Sequence, residues 1–195
     1  MATVPSPADA APAFVFVGGR PSLDLVATFG RRHAGGLERI PDPGALARWF
    51  VAAGLLAVAP PVTGSELRRA RLLREAIAVL VRATIAGQPA DDEAVRILNA
   101  RAMVADLPPR LVTTPDGRLA VRPVDGSAAA ALAGIARDGV RLLGEPQASR
   151  IKECQHPDCS LVFLDETQSA RRRWCSMERC GNLVKTAGYR ARRRG

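Results

Sequence analysis

Four cysteines near the C-terminal end constrain this 195-residue chain more than any other feature. They form two pairs of C-x4-C spacing, Cys154 with Cys159 and Cys175 with Cys180, and 15 residues separate the pairs. Two equally spaced pairs are typical of a zinc site, because four thiolates can occupy the corners of a tetrahedron around one ion. We therefore predict one structural zinc ion. Four thiolates fill the coordination shell, so we expect no catalytic metal.

The same cysteines are also compatible with disulfides, with free or redox-active thiols and with an iron–sulfur cluster. Disulfides are disfavoured because residues 1–13 contain no basic residue, so that we expect no secretory signal. Zinc is favoured because the roughly 45-residue segment around the cysteines has few large apolar side chains and needs a metal to fold. His156 lies between two of the ligands, and we expect it to face the solvent.

The residues between the cysteine pairs predict a treble-clef-like finger. Strand-forming residues at 161–163 and 172–174 predict two short strands, which a turn over 165–170 would join. Ser176 can cap the helix that follows. A knuckle, a hairpin and a helix would then surround one zinc ion, and the finger, residues 150–195, would end in a basic helix.

The preceding residues predict a mainly helical domain over 14–145 with a small β-hairpin, after a disordered arm over 1–13. Apolar residues recur at helical spacing in five segments, at 22–28, 42–54, 65–86, 89–105 and 127–143. Strands are predicted at 14–17 and, as the hairpin, at 111–114 and 119–124. No apolar run reaches the roughly 18 residues of a membrane span, so we expect no membrane contact. The scattered polar residues form no catalytic triad, so we expect no enzyme.

Positive charge is concentrated at the C-terminal end. The net charge is +9, and residues 170–195 carry nine basic residues against one acid. This excess beside a predicted zinc finger favours nucleic acid as the partner. The predicted contact residues are Arg171, Arg172, Arg173, Arg179, Asn182, Lys185, Tyr189, Arg190, Arg192 and Arg193. A solvated basic surface, RNA or a ribonucleoprotein in place of DNA, and an acidic protein partner remain alternatives.

Several sequence runs resemble a known family. The paired cysteines, the run RRWCSM at 172–177 and CGN at 180–182 resemble the CGNR zinc finger. FVFVGG at 14–19 and LDLV at 23–26 resemble the start of the ABATE domain, which precedes this finger in bacterial proteins. The resemblance implies a cytoplasmic, nucleoid-associated, stress-induced transcription regulator that binds DNA through its finger. The N-terminal domain would serve as a sensor or as the contact of a homodimer.

Two positions depart from the family's pattern. Leu183 stands where the family has an arginine, and Ala27 stands where it commonly has an asparagine. The first departure removes one expected DNA contact, for which Arg179 or Lys185 could compensate. The second would alter a ligand pocket that the asparagine serves.

Overall fold

The computed structural model describes residues 13–184. Residues 1–12 and 185–195 lie outside the described part, and with them the predicted N-terminal arm up to residue 12 and the greater part of the predicted basic helix. The described chain is mainly helical with three small antiparallel sheets, which confirms the predicted mainly helical fold with a small hairpin. The predicted basic helix at the end of the finger stays a prediction.

The described fold is built from short strands and helices of very different length. The helices are α1 (Pro21–Val26), α2 (Pro43–Ala52), α3 (Gly64–Ala86), α4 (Asp92–Ala102) and α5 (Ala128–Gly144). The strands are β1 (Phe29–Gly30), β2 (Leu37–Glu38), β3 (Arg110–Thr113), β4 (Leu119–Arg122), β5 (Ile151–Glu153) and β6 (Val162–Leu164). A 3-10 turn lies at Pro146–Arg150, and a π-helical segment lies at Met177–Gly181. Within residues 13–184, no helix is both long and apolar enough to cross a membrane.

Side-chain caps explain where four of the helices begin. Asp42, Asp91 and Ser127 each accept a hydrogen bond from the amide three residues further on, at 2.8, 2.7 and 3.2 Å. Thr63 and Glu66 form a reciprocal capping box at the start of α3. Each cap contributes about 1 kcal/mol because it satisfies an amide that has no partner within the helix. The predicted starts of α2 and α5 are confirmed.

The main core surrounds α3, which packs against α1, α2, α4 and α5. Its largest fully buried side chains are Leu23, Leu25, Ile40, Leu46, Trp49, Phe50, Leu56, Leu73, Ile77, Leu132 and Ile135. Burying one such side chain contributes about 1.5–3 kcal/mol. This packing is therefore the principal source of stability for the helical part.

Arg74 on α3 corrects the predicted faces of that helix. Helical spacing over 65–86 predicts an apolar stripe that includes Leu72 and Ile85 and leaves Arg74 outside, but Leu72 is 58% exposed and Arg74 only 4%. The carboxylate of Glu38 accepts two hydrogen bonds from the Arg74 guanidinium, at 2.8 and 2.9 Å. The Cζ atom of Arg74 lies 5.1 Å from the centroid of the Phe29 ring. This bidentate pair offsets the cost of burying the Arg74 charge. Glu38, which is distant in sequence, therefore determines which face of α3 is buried.

The predicted hairpin of the N-terminal part is confirmed, whereas the first predicted strand is wrong. Leu111 of β3 lies opposite Val121 of β4 in an antiparallel pair. Residues 14–17 form no regular strand. The carbonyl of Gly18 accepts a hydrogen bond from the Leu164 amide at 2.9 Å, so this segment lies beside β6 without a ladder of its own.

The finger contains a different hairpin from the predicted one. β5 pairs with β6, with Lys152 opposite Phe163, whereas 172–174 forms no regular strand. One backbone hydrogen bond, from the Gln155 amide to the Arg173 carbonyl at 3.0 Å, holds that segment beside the first cysteine pair. The first cysteine pair lies in the connection between β5 and β6. The knuckle that this pair forms therefore closes a hairpin of these two strands, and β6 does not pair with 172–174.

The finger and the helical part share buried contacts. Ile151, Val162 and Leu164 of the finger hairpin lie in the main core. Val15 and Ala27, from the N-terminal part, lie in a second buried cluster together with Cys154, Cys175 and Cys180. The cysteine site is therefore packed against the N-terminal segment.

Candidate metal centre and basic surface

The four cysteines are brought together by two short elements. Cys154 directly follows β5, and its amide donates to the Leu161 carbonyl at 2.9 Å, which closes the knuckle. Cys175 precedes Ser176, whose hydroxyl accepts a hydrogen bond from the Arg179 amide at 3.0 Å and caps the π-helical segment. Cys180 lies within that segment, so a wide helical turn returns its sulfur towards the knuckle. The predicted cap at Ser176 is confirmed.

The geometry of the four sulfurs fits one zinc ion. All four Sγ atoms lie within 4.8 Å of one another. Cys175 Sγ lies 3.9 Å from Cys159 Sγ and 3.6 Å from Cys180 Sγ. A tetrahedral zinc with bonds of about 2.3 Å places its sulfurs about 3.8 Å apart. The cysteines form no disulfides. His156 does not join them, since its Nδ1 atom accepts a hydrogen bond from the Asp158 amide at 3.2 Å.

The protein environment favours the protonated form of two of the four thiols, those of Cys159 and Cys180. Cys154, Cys175 and Cys180 are buried, and Cys159 is half-buried. Burial raises the pKa of the Cys180 thiol to about 12. The Cys175 sulfur, and then burial, raise the pKa of the Cys159 thiol far above its ordinary value. Zinc binding must therefore displace protons from these thiols, because the thiolate is the form that coordinates metal.

Arg39 carries a positive charge from the N-terminal part to the edge of the cysteine cluster. The residue is 5% exposed, and its guanidinium donates to the Ala27 carbonyl at 3.0 Å. Gly30 makes room for it, since a Cβ atom there would lie 2.5 Å from Arg39 Nη1. Burial lowers the pKa of Arg39, the Arg179 charge lowers that pKa further, and Cys159 opposes both. Four thiolates around Zn²⁺ carry two net negative charges, which Arg39 is placed to offset in part.

Asp165 organises the loop that leads to the second cysteine pair, and the sequence pattern alone did not single it out. Its side chain is fully buried and accepts hydrogen bonds from Lys152 Nζ at 2.7 Å, Thr167 Oγ1 at 2.6 Å and the Arg172 amide at 2.8 Å. Burial would raise the pKa of this carboxyl, but the hydrogen bonds from Lys152 and Thr167 hold it well below its usual range. The signal that predicts such a turn is an aspartate followed two residues later by a threonine, here Asp165 and Thr167, after the β-prone run at 161–163.

The arginines of the predicted contact surface have different environments. Arg171 and Arg173 are exposed and line one groove, together with Trp174 and Met177. Arg172 is half-buried. Its Nε donates to the Trp174 carbonyl at 3.0 Å, and its Nη2 donates to the Cys175 carbonyl. Its Cζ lies 4.2 Å from the centroid of the Phe163 ring. Arg172 therefore supports the metal site from within.

The remaining predicted contact residues lie on another side of the finger or beyond the described chain. Arg179 and Leu183 line a cleft of about 230 Å³ that Arg39 also borders, and Asn182 is exposed. The position where the family has an arginine thus faces this cleft. The predicted contacts outside residues 13–184 are Lys185, Tyr189, Arg190, Arg192 and Arg193.

Comparison with known proteins returned two family matches along the chain. The ABATE model, described as "Putative stress-induced transcription regulator", matches residues 19–146. The CGNR zinc finger model matches residues 150–193. No curated protein sequence matches the chain. The finger match and the clustered sulfurs together identify one structural zinc site.

Proposed function

The chain belongs to the ABATE family, whose description is "Putative stress-induced transcription regulator", and carries a CGNR zinc finger, and we propose that it is a zinc-dependent DNA-binding regulator. The observation that supports this proposal is the attachment of exposed arginines to a four-cysteine zinc centre. Zinc holds the shape of the finger, and the arginines neutralise phosphates. The proposed activity is binding, not catalysis, because four thiolates close the shell of the metal.

The charge of the finger is available to a ligand. Arg171 and Arg179 form no ion pair within residues 13–184, and both are exposed. Each lies within four residues of a zinc ligand, so the metal fixes the backbone that presents them. Phosphate contacts of this kind position a protein on nucleic acid and supply most of its sequence-independent affinity.

We propose that the helical N-terminal part acts as a sensor or as a dimer contact, in the cytoplasm and at the nucleoid. Val15 and Ala27 pack against the buried cysteines, and Arg39 borders the cleft of Arg179. A change in the N-terminal part would therefore alter the surroundings of the zinc site directly.

Salt dependence tests the phosphate contacts. We expect the logarithm of the affinity for labelled duplex DNA to fall linearly with the logarithm of the salt concentration, with a slope of about −0.9 per phosphate neutralised. Arg171→Gln should weaken binding and make the slope less steep by about 0.9. The matched control is Arg122→Gln, which removes an exposed arginine of β4. Fluorescence anisotropy of the full chain measures both.

Three outcomes contradict this proposal. Binding that does not respond to salt would exclude phosphate contacts, and an equal effect of Arg122→Gln would exclude a localised surface. Stronger competition by a fully paired RNA duplex than by an unlabelled DNA duplex of the same sequence would replace DNA by RNA as the ligand.

A further inference from the structure

A groove of about 390 Å³ beside Trp174 has the chemistry of a nucleobase site. It is lined by Thr167, Arg171, Arg172, Arg173, Trp174 and Met177, with no acidic side chain among these residues of the described chain. Resting on the proposed function, we propose that this groove binds one unstacked base, so that the finger binds single-stranded nucleic acid more tightly than a fully paired duplex. Its size falls within the range of roughly 300–1,000 Å³ that is typical of small-molecule sites.

The guanidinium of Arg173 is held in place by contacts within the finger. Its Cζ atom lies 5.2 Å from the centroid of the Trp174 ring, and its Nε donates to Gln155 Oε1 at 2.6 Å. The Arg173 carbonyl accepts a hydrogen bond from the Gln155 amide at 3.0 Å, so backbone and side chain are fixed by the same residue. Unpaired bases stack on arginine planes and on aromatic rings. Because Arg173 is already ordered, little side-chain entropy is lost on binding.

The floor of the groove is set by the zinc site. Trp174 is half-buried and packs against the cluster that contains the cysteines. A Cβ atom at position 181 would lie 3.2 Å from Trp174 Cδ1 and 2.5 Å from Met177 Sδ, so Gly181 allows these two side chains to close over it. Met177 remains 44% exposed. An apolar floor with arginines beside it complements a base that has a phosphate on each side.

The groove favours an unstacked base over a paired one. A base within a duplex has both faces covered by its neighbours, whereas an unpaired base presents an open ring face. Arg171 is exposed, forms no ion pair in residues 13–184, and lies two residues before Arg173. It is therefore placed to bind a phosphate next to the base that occupies the groove.

Trp174 can report directly on its own occupancy. The chain has two tryptophans, and Trp49 is 0% exposed in the core. A Trp49→Phe protein therefore retains Trp174 as its single indole. We expect oligothymidylate of about 15 nucleotides, a length within known single-strand site sizes, to quench the emission of Trp174 in this full-length, zinc-loaded protein. A labelled strand and a labelled duplex of the same length measure the two affinities by anisotropy, and the strand should bind more tightly.

Substitutions at Trp174 and Arg173 distinguish the contribution of base stacking to the affinity from the contributions of charge and of folding. Trp174→Ala should lower the affinity for the single strand about tenfold, as expected for the loss of one stacked base. Since this change could disturb the finger, zinc content is measured in parallel, and Trp174→Phe should retain most of the affinity. Arg173→Lys keeps the charge but loses the planar group, so it should weaken strand binding without changing the salt slope. Arg122→Lys is the matched control.

The outcomes that overturn the inference are distinct from those that overturn the proposed function. Duplex binding that is as tight as strand binding, with unchanged Trp174 emission, would overturn the base site and leave the DNA-binding proposal standing. The absence of binding to any nucleic acid at low salt would overturn both. Quenching of the Trp174 emission by polyglutamate but not by oligothymidylate would assign the groove to an acidic peptide and overturn the base site.

Discussion

Replacing Cys175 by alanine should abolish stoichiometric zinc binding and unfold the finger. Cys175 is 0% exposed, and its sulfur lies between those of Cys159 and Cys180, at 3.9 and 3.6 Å. In small zinc domains the binding free energy of the metal is also the folding free energy, about 10–16 kcal/mol at neutral pH. The loss of one ligand should therefore cost more affinity than the roughly 10–100-fold that is lost with an outer-shell partner.

Competition with a chromogenic chelator measures the zinc affinity of this variant, and circular dichroism measures what remains folded. We expect the helical signal of α2 to α5 to persist in part, because their core residues lie mainly outside the cysteine cluster. Ser176→Ala is the matched control: it removes the adjacent cap, at a cost of about 1 kcal/mol, but no ligand. A Cys175→Ala protein that still binds one zinc ion with unchanged affinity would contradict the assignment.

Replacing Asp165 by alanine should destabilise the finger although it removes no zinc ligand. The substitution leaves the Lys152 ammonium, the Thr167 hydroxyl and the Arg172 amide without their common acceptor. A buried donor that loses its acceptor costs about 1–3 kcal/mol, whereas Lys152 keeps the carbonyls of Ala170 and Arg172 as acceptors. We expect a loss of that size in the free energy of unfolding, together with weaker zinc binding.

Urea unfolding of the zinc-loaded chain measures the effect of Asp165→Ala. Asp158→Ala, which removes an exposed carboxylate from the knuckle, is the matched control and should change the free energy of unfolding by less than about 0.5 kcal/mol. Asp165→Asn keeps the size of the side chain and should have an intermediate effect. Equal stability of the Asp165→Ala and Asp158→Ala proteins would show that the loop does not depend on this carboxylate.

The zinc ligands and most helices could be predicted from the sequence because their signals are local. The two C-x4-C pairs limit the ligand set by spacing alone, and caps such as Asp42, Ser127 and Ser176 act on an amide three residues away. These interactions need no knowledge of the tertiary fold. The same holds for the hairpin of β3 and β4, whose strands flank a short turn.

The sequence is uninformative where a residue's environment depends on a contact with a residue that is distant in sequence. Arg74 is buried because Glu38 pairs with it across 36 positions, and spacing along α3 carries no information about that acid. The environment of Arg172 also depends on the fold, because its Cζ lies over the Phe163 ring and its Nε bonds a loop carbonyl. Its predicted contact with nucleic acid stays a prediction. A β-prone run at 161–163 predicts a strand but not its partner, and here β6 pairs with β5. The packing of Val15 against the cysteines depends on the whole fold.

Reversible removal of zinc tests whether DNA binding depends on the metal. The anisotropy of labelled DNA is followed while zinc is stripped from the full chain by a chelator and then restored in stepwise amounts under reducing conditions. We expect DNA affinity to fall with the zinc content and to return fully at one zinc ion per chain, because the four thiolates fix the loop that carries the arginines. Unchanged affinity of the zinc-free protein for DNA would contradict this expectation.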